Sequence, residues 1–103
     1  SKVTRFEYTV IKDKFFLDIE EGIGTLSNGE EVPYYYCYLM HGKWGVKRFC
    51  FGSPKTDIQT GEVLSAEDVA ESCEDFLIHS VMTCIEEEEA IRDYYENKEL
   101  EEE

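Results

Sequence analysis

The sequence predicts an α+β fold: a four-stranded antiparallel sheet of two hairpins, with one long C-terminal helix packed on one face. Three observations predict it. Apolar residues alternate with polar ones over the N-terminal segments, the period of half-buried strands. An Asn-Gly pair separates the two strand pairs. Beyond residue 65 apolar residues recur at three- and four-residue steps, the period of an amphipathic helix. With 103 residues the chain is predicted to form one domain, residues 1–96, followed by a flexible acidic tail over 97–103.

The first strand is expected over 3–12, where Phe6, Tyr8 and Val10 share one face and Arg5, Glu7 and Thr9 the other. A turn at Lys12-Asp13-Lys14 leads into 15–20, with Phe15, Leu17 and Ile19 opposed to Asp18 and Glu20. Gly22 and Gly24 interrupt that run, and Ser27-Asn28-Gly29 suits the positive φ of a tight turn. Residues 32–41 are apolar or aromatic on both faces, which marks the centre of a sheet. A two-residue turn at Gly42-Lys43 would send the chain back through Trp44 to Phe51. Pro33 cannot donate to a ladder and is expected at a strand start or an unpaired edge position.

Residues 52–64 hold the turn residues of a loop, and Ser65-Ala66-Glu67-Asp68 fits a capping box with Asp in place of Glu. From there Val69, Cys73, Phe76, Leu77, Val81, Cys84, Ile85 and Ile91 form the stripe of one helix over about 66–96. At about 1.5 Å per residue such a helix is much longer than the strands are wide, so its last turns should project beyond the sheet.

Charge is distributed unevenly. Residues 65–103 carry 15 acids and 2 bases, whereas residues 1–64 carry 9 acids and 8 bases. Nearly all of the formal charge of −14 therefore sits on the helical third. Such a field attracts basic surfaces and repels nucleic acid and anionic membrane. A hydrophobic content of 42% is too rich for a wholly disordered chain. No apolar run reaches the roughly 18–20 residues that cross a bilayer, and no secretory signal precedes the first strand, so a soluble cytoplasmic protein is expected.

The run Glu86-Glu87-Glu88-Glu89, with Asp93, Tyr94 and Glu96, is the first candidate site. Four consecutive acids cover every azimuth of a helix, and Glu88 falls on the apolar stripe between Ile85 and Ile91. Burying a lone carboxylate there is costly, so this stretch is expected to stand clear of its own sheet. Tyr94 and Tyr95 among the acids are of the type enriched in protein interfaces. Carboxylates along a rigid helix imitate, in sign and loosely in spacing, the phosphates of a nucleic-acid strand. The expected function is a non-enzymatic inhibitor or mask of a basic partner, a nucleic-acid-binding protein or nuclease. In size and charge it is similar to the acidic proteins phages use against restriction and CRISPR systems, and to immunity proteins of nuclease toxins. No motif carries the likeness further.

The second candidate is the aromatic hairpin. With a two-residue turn, Tyr34, Tyr36, Tyr38 and Met40 would share a face with Lys47, Phe49 and Phe51. Tyr35, Cys37, Leu39 and His41 would share the other with Trp44, Val46, Arg48 and Cys50. Tyr36, Tyr38, Phe49 and a nearby Lys47 or Arg48 could stack a small nucleotide, the alternative function. Pairing of the projecting helix in a homodimer is a further possibility.

Other chemistries find little support. Cys37, Cys50, Cys73 and Cys84 are separated by 12, 22 and 10 residues, with no Cys-x-x-Cys knuckle, and are read as reduced thiols. Cys37, His41 and Cys50 would share a predicted face but lack a fourth zinc ligand, so no metal or cofactor is expected. Cys73 and Cys84, about 16 Å apart on one helix, are too distant to bridge. His41 and His79 carry no nucleophile signature, Asp18 and Glu20 read as the wet side of a strand, and Gly22-Ile23-Gly24 is no phosphate loop. No enzyme activity is expected.

Overall fold

The computed structural model describes the backbone of residues 2–41 and 46–102, and the side chains of 2–41 and 50–100. It contains strands β1 (Val3–Val10), β2 (Asp13–Thr25), β3 (Glu31–His41) and β4 (Val46–Pro54), then helices α1 (Ala66–Ser72) and α2 (Glu74–Glu102). The strands form one sheet in the order β1-β2-β3-β4, each antiparallel to its neighbour. This is the α+β fold the sequence predicts.

The first hairpin is tighter than expected. Val10 pairs with Asp13, leaving Ile11 and Lys12 as a two-residue loop. Ile11 has φ 61°, a left-handed conformation that a β-branched residue adopts only at a cost. The second turn is formed as expected: Gly29 has φ 85°, its N–H donates to Leu26 O at 2.9 Å, and Asn28 Oδ1 accepts from Glu30 N.

β2 does not stop at Gly22 but continues to Thr25, paired with Glu31. The glycines serve the tyrosines opposite. A Cβ on Gly24 would lie 2.6 Å from Cγ and Cδ2 of Tyr34, and one on Gly22 would lie 3.0 Å from Cε2 of Tyr36. Tyr36 Oη also donates to Ile23 O at 2.6 Å. Bare backbone here is a seat for aromatic rings, which explains how glycine persists inside a strand.

The register of β3 with β4 corrects the predicted faces. His41 pairs with Val46 and Met40 with Lys47, but Leu39 pairs with Phe49, so a bulge leaves Arg48 as the extra residue. The Gly42-Lys43 turn lies outside the described residues, yet His41 paired with Val46 is incompatible with a two-residue loop. Below the bulge the described side chains, from Cys50 on, take the face opposite to the expected one. Phe51 becomes the partner of Cys37 and packs against the core, while Cys50 pairs with Tyr38 and is exposed.

The linker from 55 to 64 folds back on itself. Asp57 Oδ1 accepts from Gln59 N and Thr60 N, Thr56 bridges Val63, and Leu64 N donates to Lys55 O. Lys55 forms an ion pair with Glu21, and Tyr35 Oη donates to Leu64 O at 2.7 Å, which holds the linker to the sheet. Ser65 then caps α1 with the expected box: its hydroxyl accepts from Asp68 N while Asp68 Oδ2 accepts from Ser65 N.

The single expected helix is divided at Cys73 (φ −110°, ψ 8°). Ser72 Oγ and Cys73 Sγ both donate to Val69 O, the carbonyl that a continuous helix would pair with the Cys73 N–H, which goes instead to Glu71 O. At the other end α2 continues through the residues read as a tail, reaching Glu102.

The core lies between one sheet face and the helices. Phe15, Leu17 and Ile19 of β2 and Tyr35, Cys37 and Leu39 of β3 meet Val69 and Ala70 of α1 and Leu77, Val81 and Ile85 of α2. Phe6, Tyr8 and Val10 of β1 flank them. The stripe is narrower than the periodicity implies, since Phe76 and Ile91 are exposed. The opposite sheet face, with Phe16, Tyr34, Tyr36, Tyr38 and Met40, is half-buried and has no helix over it.

Candidate functional site

α2 spans 29 residues, roughly 44 Å at about 1.5 Å per residue. Its last core residue is Ile85. The helix continues to Glu102, about 25 Å further at the same rise. The molecule measures 63 × 27 × 25 Å, and its radius of gyration is 17.8 Å. A compact chain of this length would have about 13 Å. The difference is the length of α2.

Every residue from Glu89 to Leu100 is exposed, as are Glu86 and Glu87. Glu86, Glu89, Asp93 and Glu96 follow steps of three and four residues and therefore line one side of the helix. Tyr94 and Tyr95 are 62% and 59% exposed, with ring centroids 5.4 Å apart in an edge-on arrangement. Residues 86–102 hold nine acids and two bases. That is one net negative charge for about every 3.6 Å of axis at 1.5 Å per residue, or about every 4.3 Å with the inward Glu88 left out, against the ~3.4 Å of one DNA strand.

Glu88 departs from the expectation. It is not clear of the sheet: its side chain is 26% exposed, and Oε1 lies 3.2 Å from Nδ1 of His41, which has no exposure at all. The penalty for burying a lone carboxylate is avoided because an imidazole faces it. Sequence periodicity put Glu88 on the inward stripe but could not name its partner, because His41 reaches that position only through the β2–β3 register. Of the proposed contact residues, Glu86, Glu87, Glu89, Asp93, Tyr94 and Glu96 face solvent and Glu88 faces inward.

Of the alternative ligand face, the described side chains are Tyr36 and Tyr38, which lie on the uncovered side of β3. Lys47 is the register partner of Met40. Arg48 falls at the bulge and Phe49 is the register partner of Leu39; the side chains of Lys47, Arg48 and Phe49 lie outside the described residues. Tyr34 and Tyr36 lie over the glycines, their centroids 5.4 Å apart. On this face Arg5 is stacked 4.6 Å from the centroid of Phe16 and held by two hydrogen bonds to Asp18 at 2.7 and 2.8 Å, and Lys14 forms an ion pair with Glu7 at 3.0 Å. Asp18 thus acts as an ion-pair partner.

Two of the thiols, Cys37 and Cys73, are placed as inert groups. Burial, with a smaller effect of Cys73, pushes the Cys37 thiol up to about 11. Burial also raises Cys73. Cys37 and Cys50 sit on opposite faces, so the considered Cys37-His41-Cys50 set does not converge. His79 is exposed on α2. No helix among the described residues is long and apolar enough to cross a membrane. No protein-family model matches the chain, and no curated protein and no solved structure matches it.

Proposed function

We propose that this chain is a non-enzymatic acidic interaction protein that masks a basic, nucleic-acid-binding partner with the projecting part of α2. The observation that supports this reading is the charge density of the rod. An exposed helix carrying negative charge at a linear spacing within about a quarter of that of a nucleic-acid strand offers a Lys- and Arg-lined groove much of what its own ligand offers. The contact surface is Glu86, Glu87, Glu89, Asp93, Tyr94 and Glu96. Long-range attraction accelerates encounter, and desolvation of Tyr94 beside the acids slows release.

The test is affinity capture from lysate, comparing the wild-type chain with an E86Q/E87Q/E89Q variant that leaves the inward Glu88 intact. Retention of a basic nucleic-acid-binding protein by the wild type alone supports the reading. Equal retention by both chains rejects it.

The uncovered aromatic face favours a second reading, sequestration of a small nucleotide. A nucleotide at 100 times its dissociation constant would stabilise the fold by about 2.7 kcal/mol. Thermal shift with cyclic and linear nucleotides checks this reading, and an unchanged Tm across the set removes it.

A further inference from the structure

Three elements meet where α2 leaves the sheet. Asp13 opens β2, His41 closes β3, and Glu88 lies on α2 three residues past the last core contact. One ligand-capable atom from each lies within 4.8 Å of the other two. His41 is completely buried and stacked on Phe15, with centroids 4.5 Å apart and planes at 2°, so its ring orientation is set by packing. Neither of its nitrogens has a hydrogen-bond partner among the described residues. The 3.2 Å approach of Glu88 Oε1 to Nδ1 is an ion-pair distance without hydrogen-bond alignment. A buried imidazole is seldom left with both nitrogens unused.

We propose that Asp13, His41 and Glu88 form a binding site for one divalent transition-metal ion of the zinc class. Two carboxylate oxygens and an imidazole nitrogen suit Zn²⁺, Co²⁺ or Mn²⁺ better than Mg²⁺ or Ca²⁺, which favour oxygen-only shells. Donors about 2.0–2.2 Å from a tetrahedral zinc lie roughly 3.3 Å from one another. The His41–Glu88 separation already matches, and the remaining spacing closes with a small rotation of a carboxylate. The ion takes the lone pair of one ring nitrogen and leaves the proton on the other, while water completes the coordination. Asp13 and Glu88 are only half-buried, which provides an entry path. The surrounding negative charge raises the local cation concentration. Bound there, the ion joins β2, β3 and α2 at the root of the projecting rod and sets its direction. The site stands independently of the proposed partner.

The experiment is calorimetric titration of the reduced full chain with Zn²⁺ alone, repeated with Co²⁺ while the visible spectrum is recorded. D13N, E88Q and H41Q are compared with E99Q, an exposed acid of α2 outside both the cluster and the proposed contact surface. One equivalent of tight binding is expected in the wild type and in E99Q, with a cobalt spectrum lacking a thiolate charge-transfer band. Loss of an outer partner of a ligand already costs roughly 10–100-fold in affinity, so D13N and E88Q should each weaken binding at least tenfold. If the buried H41Q variant does not fold, D13N and E88Q decide the matter. A thiolate band, absence of a stoichiometric site, affinity in D13N and E88Q within twofold of wild type, or equal weakening by E99Q would overturn the assignment.

Discussion

Truncating Leu77 should cost several times more than truncating Ile91, although both belong to the same sequence stripe. Leu77 is 1% exposed and lies in the seam with Val81 and Ile85, whereas Ile91 is 58% exposed. Leu77→Ala removes Cγ, Cδ1 and Cδ2, each worth about 0.8 kcal/mol in transfer terms. The cavity left in the core shared with the sheet adds to that, for a total of about 2–5 kcal/mol. In a domain of this size 1 kcal/mol moves Tm by about 4–5 °C, so a fall of roughly 8–25 °C is expected. Ile91→Ala has no core to disturb and should stay within about 0.5 kcal/mol. Thermal and urea unfolding followed by circular dichroism measures both. Equal losses, or a loss above about 2 kcal/mol for Ile91→Ala, would refute the claim that the sheet releases α2 after Ile85 and Glu88.

Ile11→Gly should raise Tm, since it relieves a left-handed β-branched residue worth about 1–2 kcal/mol of strain and its side chain is 71% exposed; an unchanged or lower Tm would deny that strain. Gly24→Ala should cost about 1–3 kcal/mol, because the new Cβ meets the Tyr34 ring at its fixed end, and much less in a Tyr34→Ala background; equal costs in both backgrounds would show that the ring is not the obstacle. Asp68 is held below the usual carboxylate range by hydrogen bonds from Ser65, and Glu21 by the hydrogen bond it accepts from Lys55. A lowered folded value means stability present above the unfolded value, about 4, and lost as pH falls through the folded one. Asp68→Asn should therefore flatten the acid limb of a Tm–pH curve, and an identical limb would contradict the sign. Under native conditions a thiol reagent should modify exposed Cys50 first and Cys37, whose thiol is pushed up to about 11, last by mass spectrometry.

Much of the fold was legible because local pattern and tertiary environment agree in it. Phe15, Leu17 and Ile19 alternate because one face of β2 is buried, and Ser65 and Asp68 complete a local box that any helix start can form. What was not legible depended on contacts distant in sequence. Gly22 and Gly24 read as breakers until the rings of Tyr34 and Tyr36 are placed over them. The faces of β4 depended on a bulge at Arg48, which alternation alone does not reveal because both faces are aromatic. The division at Cys73 arises from side chains competing for one carbonyl, which apolar periodicity does not register. In the candidate site the exposed acids were legible from composition and helical spacing. Glu88 was found on the correct stripe but given the wrong surroundings, since His41 is 47 residues earlier in the chain.

The most direct measurement of the central claim is the salt dependence of affinity for the captured partner, comparing wild type with E86Q/E87Q/E89Q. Binding by a charged rod that displaces counterions weakens in proportion to a power of the salt concentration set by the number of charges engaged. The wild type should lose affinity steeply between about 50 and 200 mM salt, a range over which 6–10 phosphate-like contacts lose roughly 10³–10⁵. The variant should bind more weakly at low salt and show a visibly smaller slope. Equal slopes for the two chains, or affinity independent of salt, would contradict a role for the acidic rod as the contact surface.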